Sequence, residues 1–129
     1  MTEPRAQFSY PIMLDLHDRL VVVVGAGSVG RRKLQRLLAA GARVRLVDPI
    51  LTGRADVSAG VEVVGRCFTA NDLLCAQLVF VCTDAPEVNQ HVAAEAQRAG
   101  ILCCRADQPA AGDFSLPAVF SHGALTVAV

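Results

Sequence analysis

The sequence predicts an α/β fold, a doubly wound and mainly parallel sheet, and three observations carry that expectation. Leu20 to Val24 is an unbroken apolar run, mostly valine, of the kind that a strand buried on both faces requires. Strand-like and helix-like segments then alternate along the chain, with no internal repeat and no low-complexity stretch. Finally, the first apolar run ends at a glycine turn that opens directly into a segment of helical composition.

Composition narrows the function classes. With 129 residues, 53% hydrophobic and 19% charged, the chain reads as one globular domain able to bury a core. The formal net charge is zero, so no global field draws it to nucleic acid or to an acidic membrane, and neither is expected as a partner, although 11 of the 12 cations are arginine and can cluster locally. No apolar run reaches the length of a membrane span, and the N-terminus, with Glu3 and Pro4, lacks a signal-peptide core. Cys67, Cys75, Cys82, Cys103 and Cys104 are odd in number and show neither a CxxC pair nor a metal-finger spacing. Reduced thiols in a cytoplasmic protein, acting as small buried hydrophobes, are expected, with no metal centre.

Residues 1–9 are expected to be loose. Tyr10 to Leu16 puts Ile12, Leu14 and Leu16 on one strand face and is predicted as an edge element, with His17-Asp18-Arg19 as the turn into the first central strand. His17 reads as a solvent-exposed turn histidine. After the strand comes Gly25-x-Gly27-x-x-Gly30: the first glycine allows the turn, the second lets backbone approach a pyrophosphate, and the third lets helix and strand pack closely. The phosphates would meet the free N–H groups and positive end of the new helix, which makes Gly25, Ala26, Gly27, Ser28, Val29 and Gly30 the candidate dinucleotide-binding residues of a Rossmann-like fold.

The helix that follows is expected to bury Val29, Leu34, Leu37 and Leu38, to present Arg31, Arg32, Lys33, Gln35 and Arg36 on its other side, and to stop at Gly41. Ala42 to Val47 reads as the second strand, closed by Asp48-Pro49. Asp48 lies about twenty residues beyond the glycine turn, where this fold puts an acid on the adenosine ribose. A carboxylate there repels a 2′-phosphate, so NAD is preferred over NADP. Asp48 also suits a turn before proline, and Arg43, Arg45 and Arg54 are close enough in sequence to bear on the cofactor choice.

Thr52 to Gly60 is a polar connection, Val61 to Val64 a short strand, and Asn71 to Ala76 a brief helical turn. Leu78 to Cys82 is the next strong strand. It ends in Thr83-Asp84-Ala85-Pro86-Glu87, where Asp84 is expected to cap a helix, Pro86 to fit its first turn and Glu87 to complete a capping box. Val88, Val92, Ala93 and Ala96 then face inward, and Gly100 ends the helix. The carboxyl end of a parallel strand is where open α/β sheets bind ligands, so Thr83, Asp84 and Asn89 are candidate site residues, with a purely structural cap standing beside that reading for Asp84.

Ile101 to Ala106 is expected as a fifth strand that delivers Asp107 to the same edge. Beside Gln108-Pro109 and a small-residue loop through Gly112, its carboxylate could be partly desolvated by a ligand and exchange a proton. A loop aspartate capping the next turn is the bland alternative, and Asp113 competes for the role. Phe114 to Phe120 follows as a mixed apolar segment containing Pro117. Ser121 to Ala124 turns the chain into a last strand, Leu125 to Val129, and His122 is either a ligand or acid or an ordinary turn histidine. Because that strand reaches the final residue without cap or polar tail, a larger protein is expected to continue beyond Val129.

Several separated motifs agree with one family. The leader YPIMLDLHDR, the turn VGAGSVGRRK, Phe68 with Asn71-Asp72-Leu73-Leu74, the stretch CTDAPEVNQHV, the Asp107 loop running to DFSLPAVF and the closing HGALTVAV together resemble the N-terminal dehydrogenase domain of sirohaem synthase and the related precorrin-2 dehydrogenases. The resemblance spans nearly all of Tyr10 to Val129. It implies NAD-dependent oxidation of precorrin-2 to sirohydrochlorin and, as in bifunctional members that are also sirohydrochlorin ferrochelatases, insertion of ferrous iron to make sirohaem. It further implies Asp107 as the acidic catalytic residue, cofactor contacts from Gly25, Gly27, Gly30, Thr83 and Asp84, and a homodimer when the chain is full length. The chain departs from the family pattern at Gly30, where a small non-glycine residue is usual, at Asp48, where an acid is often absent, and at His122, where an arginine often stands. The Ser/Gly-rich segment and the helical dimerisation region that follow in the family are absent. A reading from a different class is a non-catalytic NAD-sensing regulatory domain, which would share the glycine turn and the ribose acid but would not need Asp107 for proton transfer.

Overall fold

The computed structural model describes residues 6–53 and 60–129. Residues 1–5 of the expected loose N-terminus, Arg54 and most of the polar connection before Gly60 lie outside the described residues.

Five parallel strands form the main sheet: β1 (Leu20–Val24), β2 (Arg43–Val47), β3 (Val61–Val64), β4 (Leu78–Val81) and β5 (Leu102–Arg105), in the spatial order β3-β2-β1-β4-β5. Val22 sits opposite Arg45 on one side and Val79 on the other. Among the described residues, two α-helices serve the sheet, α1 (Ser28–Ala39) and α2 (Pro86–Ala99). The valines of β1 alternate between two cores: Val21 and Val23 pack with Leu37 of α1, Leu46 and Phe80, whereas Val22 and Val24 pack with Val79, Val81, Val92 and Ala96 of α2. The whole strand is buried, as its continuous apolar run requires, and each fully buried valine contributes about 1.5–3 kcal/mol. The strand order reverses at β1, with β2 and β3 on one side and β4 and β5 on the other. A crevice therefore opens between the carboxyl ends of β1 and β4.

The helix ends follow glycine chemistry. Gly41 takes a left-handed φ of +82° just beyond α1, and Gly100 caps α2 at +71°. Among the described residues, no helix is long and apolar enough to cross a membrane.

Six expectations are corrected. Tyr10 to Leu16 forms no strand; Ile12 and Leu14 are exposed and only Leu16 packs on the core, because His17 and Asp18 turn the chain straight into β1 and no partner strand runs beside the leader. Val29 is exposed rather than buried, since the first turn of α1 projects past the end of the sheet. Asp84 does not cap α2: the N-cap is Ala85, and the Thr83 hydroxyl accepts the Ala85 N–H instead, at 3.2 Å. With Pro86 in the first turn and the cap at Ala85, Glu87 stands one residue too early for a capping box. Cys67 and Cys75 are exposed, the first on the loop after β3 and the second in a turn with φ +65°, while Cys103 alone of the five is fully buried.

The last correction concerns the C-terminus. Val119–His122 (β6) and Leu125–Ala128 (β7) form a separate antiparallel hairpin rather than a lone strand after a four-residue turn. Gly123 supplies a φ of +58° in the two-residue turn, so His122 belongs to a strand. All eight strand residues of the hairpin are exposed.

Candidate functional site

The strand-switch crevice is a cleft of about 660 Å³, within the size range of small-molecule sites. The ends of β1 to β4 each contribute a segment to its wall: Gly25 to Val29 after β1, Asp48 to Ile50 after β2, Cys67 and Phe68 after β3, and Cys82 to Ala85 after β4. Glu87, Val88 and His91 of α2 close the side.

The three glycines occupy different environments. Gly25 has a φ of +112°, and a Cβ there would lie 2.7 Å from the Cys82 carbonyl group, so both conformation and proximity exclude a side chain. Gly27 is the N-cap of α1 and faces open space; a Cβ there would meet nothing within 4 Å. The floor at Gly27 is bare backbone, as close approach of a pyrophosphate demands. Gly30 does not line the cleft; a Cβ there would lie 1.8 Å from the Gly25 oxygen, so this glycine acts by letting α1 pack onto the turn.

Asp48 lines the cleft and holds its floor. Its Oδ2 accepts the Ala26 N–H at 2.8 Å and its Oδ1 accepts the Ile50 N–H at 2.9 Å. The turn role and the site role of Asp48 meet here: the second bond caps the short helical turn Pro49–Leu51, while the first fixes the glycine turn. Each carboxylate oxygen retains a further lone pair for a ribose hydroxyl.

On the β4 side, Thr83 and Asp84 line the cleft. Asn89 lies behind them, fully buried; its Nδ2 donates to the Thr83 carbonyl oxygen at 3.0 Å and its Oδ1 accepts from the Thr83 hydroxyl. The wall after β3 is locked by Asp72, which is buried and receives two bonds from Arg66, at 2.7 and 3.0 Å, and the Thr69 N–H at 2.8 Å. Burial pushes the Asp72 carboxyl up, but Arg66 and the Thr69 N–H outweigh it and hold it below its ordinary value. Phe68 packs edge-on against His91, joining this wall to α2.

Asp107 lies outside the lining, just past the end of β5. Its Oδ2 accepts from Arg105 Nη2 at 2.9 Å and its Oδ1 from Arg105 Nε at 3.2 Å. Arg105 holds the carboxyl below the usual carboxylate range against the opposing effect of burial, with the Asn89 side chain and the Gln108 N–H assisting. The group is thus an anion. Asp113 serves a different purpose: its Oδ2 accepts the Cys103 N–H at 2.9 Å and its own N–H donates to the Cys103 carbonyl, pinning the loop to β5. His122 stands on the exposed hairpin, and His17 is exposed beside Asp18; neither lines the cleft. Burial raises the Cys82 thiol to about 11 and the Cys103 thiol to about 12, so both remain protonated. Among the described residues, no group of three His, Cys, Asp or Glu side chains could hold a metal ion.

Sequence reasoning did not assign Ile50, Cys67, Phe68, Glu87, Val88 or His91 to the site. The available signal was topological: the loops after β2 and β3 must emerge at the same carboxyl edge as the glycine turn.

A family model described as "Putative NAD(P)-binding" matches residues 12–118. The chain is 36% identical over 120 residues to siroheme synthase from Ectopseudomonas mendocina (strain ymp), covering 92% of this chain and 26% of that protein. It is likewise 36% identical over 126 residues to siroheme synthase from Nitrosospira multiformis, covering 92% of this chain and 27% of the relative. Against solved structures, it matches SirC, precorrin-2 dehydrogenase, with a TM-score of 0.73 and 30% identity, over 94% of this chain and 61% of that one. A glycerate dehydrogenase related protein from Thermoplasma acidophilum, at TM-score 0.51 and 18% identity over 76% of this chain and 34% of that one, shares the fold alone. The chain thus spans 26–27% of the length of these curated relatives.

Proposed function

The chain belongs to the NAD(P)-binding family whose model spans residues 12–118, so its cofactor is a nicotinamide dinucleotide, and on that premise we propose that it carries out the NAD-dependent oxidation of precorrin-2 to sirohydrochlorin in sirohaem biosynthesis. The observation that carries the reading is the cleft at the β1/β4 switch, floored by the bare backbone of Gly27 and braced by Asp48. The likeness to SirC, precorrin-2 dehydrogenase, over nearly the whole chain supports the choice of substrate.

In this reading the turn from Gly25 to Val29 holds the pyrophosphate through the N–H groups of Gly27, Ser28 and Val29, those of Gly25 and Ala26 being donated to the Val47 carbonyl and to Asp48; Asp48 holds the adenosine ribose and disfavours a 2′-phosphate, and Thr83 and Asp84 border the cofactor at the β4 end. NAD⁺ bound here would supply a hydride acceptor, so that loss of a hydride and a proton from precorrin-2 would balance as sirohydrochlorin, NADH and a proton. Asp107, held as a carboxylate by Arg105, is the residue that takes the proton.

The full-length protein acts as a homodimer on its tetrapyrrole substrate; the exposed β6–β7 hairpin, apolar at Val119, Phe120, Leu125 and Val127, supports an associated state. A cytoplasmic setting fits the five free thiols. The test is NADH formation by the full-length protein given precorrin-2 and NAD. NAD binding without turnover would favour the regulatory NAD-sensing class instead. The same preparation, given sirohydrochlorin and ferrous iron as substrates, tests the chelation that the resemblance implies.

A further inference from the structure

Arg105 is an unexpected residue to find buried. It ends β5 with 4% of its surface exposed. A buried cation is costly unless paired and hydrogen-bonded. Here Nε and Nη2 grip both oxygens of Asp107, and Nη1 donates to Gln90 Oε1 on α2 at 3.1 Å. All three guanidinium nitrogens have acceptors, and the two-point contact fixes the plane and direction of the carboxylate, which a single bond would leave free to swing.

We propose that Arg105 is a positioning residue: braced by Gln90, it clamps the Asp107 carboxylate in one orientation at the carboxyl edge of the sheet. The proposal rests on the reading of Asp107 as the proton acceptor. The groups facing Asp107 are few. From β5 come Arg105 and the neutral Cys103 thiol, from α2 the uncharged amide of Asn89, and from the following loop the Gln108 N–H. Arg105 is the cation among them. A lysine could supply its charge but not its fork, so charge and geometry are separable by substitution.

With its folded value depressed, Asp107 in the wild type stays ionised below the ordinary aspartate value of about 3.9. Removing the guanidinium leaves the burial that opposes ionisation and takes away its main counterweight, so the carboxyl must titrate at higher pH.

The experiment uses the full-length protein labelled with ¹³C-aspartate. The Asp107 carboxyl signal, assigned by its loss in Asp107→Asn, is titrated in the wild type, Arg105→Gln and Arg105→Lys, with NAD affinity and thermal melting as checks on the fold. In parallel, kcat/KM for precorrin-2 oxidation is followed against pH. Arg105→Gln should move the Asp107 titration to higher pH and the acid limb of kcat/KM upward with it. It should lower kcat by about 10²-fold with NAD affinity retained. Arg105→Lys should restore the titration more than it restores kcat. If Arg105→Gln does not fold, Gln90→Ala removes only the brace and should give the same shifts at smaller size. An Asp107 signal that titrates as in the wild type in the folded variant overturns the clamp. A shifted titration with an unmoved acid limb and unchanged kcat, while Asp107→Asn is inactive, overturns the positioning role and leaves the functional reading standing. Full turnover in Asp107→Asn removes the functional reading itself, and this proposal with it.

Discussion

The Asp48 carboxylate accepts the Ala26 N–H at 2.8 Å across the gap between β2 and the glycine turn, so the residue expected to hold the ribose also holds the loop expected to hold the phosphates. Substituting Asp48 should therefore have two effects. Asp48→Ala should weaken NAD binding by roughly 10- to 100-fold, the value of a hydrogen bond to a charged group, and should narrow the preference for NAD over NADP by removing the repulsion of a 2′-phosphate. Calorimetry with both cofactors measures each effect. Equal affinities in the wild type would contradict the ribose assignment.

The glycines make a contrasting pair. Gly27 faces open space whereas Gly30 is pressed against the Gly25 oxygen. Gly27→Val should melt close to the wild-type temperature but lose NAD. Gly30→Ala should lower the melting temperature first, because a methyl group at 1.8 Å from a carbonyl oxygen forces α1 off the turn. Melting and NAD titration of the two variants side by side check the division, and a stable Gly30→Ala would remove the packing role.

Thiol labelling reads the cleft without any turnover. Cys67 and Cys75 are exposed, while burial raises Cys82 to about 11 and Cys103 to about 12. In the native protein at about pH 8, Cys67 and Cys75 should label fast and Cys82 and Cys103 only on unfolding. Cys67 lines the cleft and Cys75 does not, so NAD should slow the first and spare the second. Mass spectrometry of the labelled peptides distinguishes them, and equal protection of both would place the nucleotide elsewhere.

The lock behind Phe68 is pH-dependent. Asp72 is ionised in the folded state below its unfolded value of about 3.9, so its stabilisation is complete above that pH and disappears as pH falls through the folded value. Asp72→Asn should cost about 1–3 kcal/mol at neutral pH by weakening the bonds to Arg66 and Thr69. The difference from wild type should shrink as the pH falls below about 3.9. Urea unfolding at a series of pH values tests this; a difference that stays constant would mean that Asp72 does not titrate with folding.

What the sequence made legible follows from where the information is local. β1 and its glycine turn could be read because burial on both faces leaves a valine run and because each glycine answers a nearby backbone demand. The tip of β5 showed Asp107 but not its clamp. Arg105 in ILCCRAD looks like a strand end reaching solvent, and its burial depends on Gln90, fifteen positions earlier on α2. The wall formed by Cys67 and Phe68 depends in the same way on the Arg66 to Asp72 lock. Local rules misled where two of them competed. Asp84 fits a capping box by spacing, yet the helix starts one residue later, with Ala85 as N-cap and its N–H donated to the Thr83 hydroxyl that Asn89 holds. The leader alternates like a strand but has no strand beside it, so its pattern marks exposed apolar side chains.

If Asp107 accepts the proton lost as precorrin-2 is oxidised, Asp107→Asn in the full-length protein must lose turnover while keeping its cofactor. NADH formation with precorrin-2 is measured beside NAD affinity and thermal melting, since the amide keeps the size and part of the bonding to Arg105 while losing the basic oxygen. Turnover should fall by roughly 10² to 10⁴ with affinity and fold retained. A wild-type rate in the folded variant would contradict the claim.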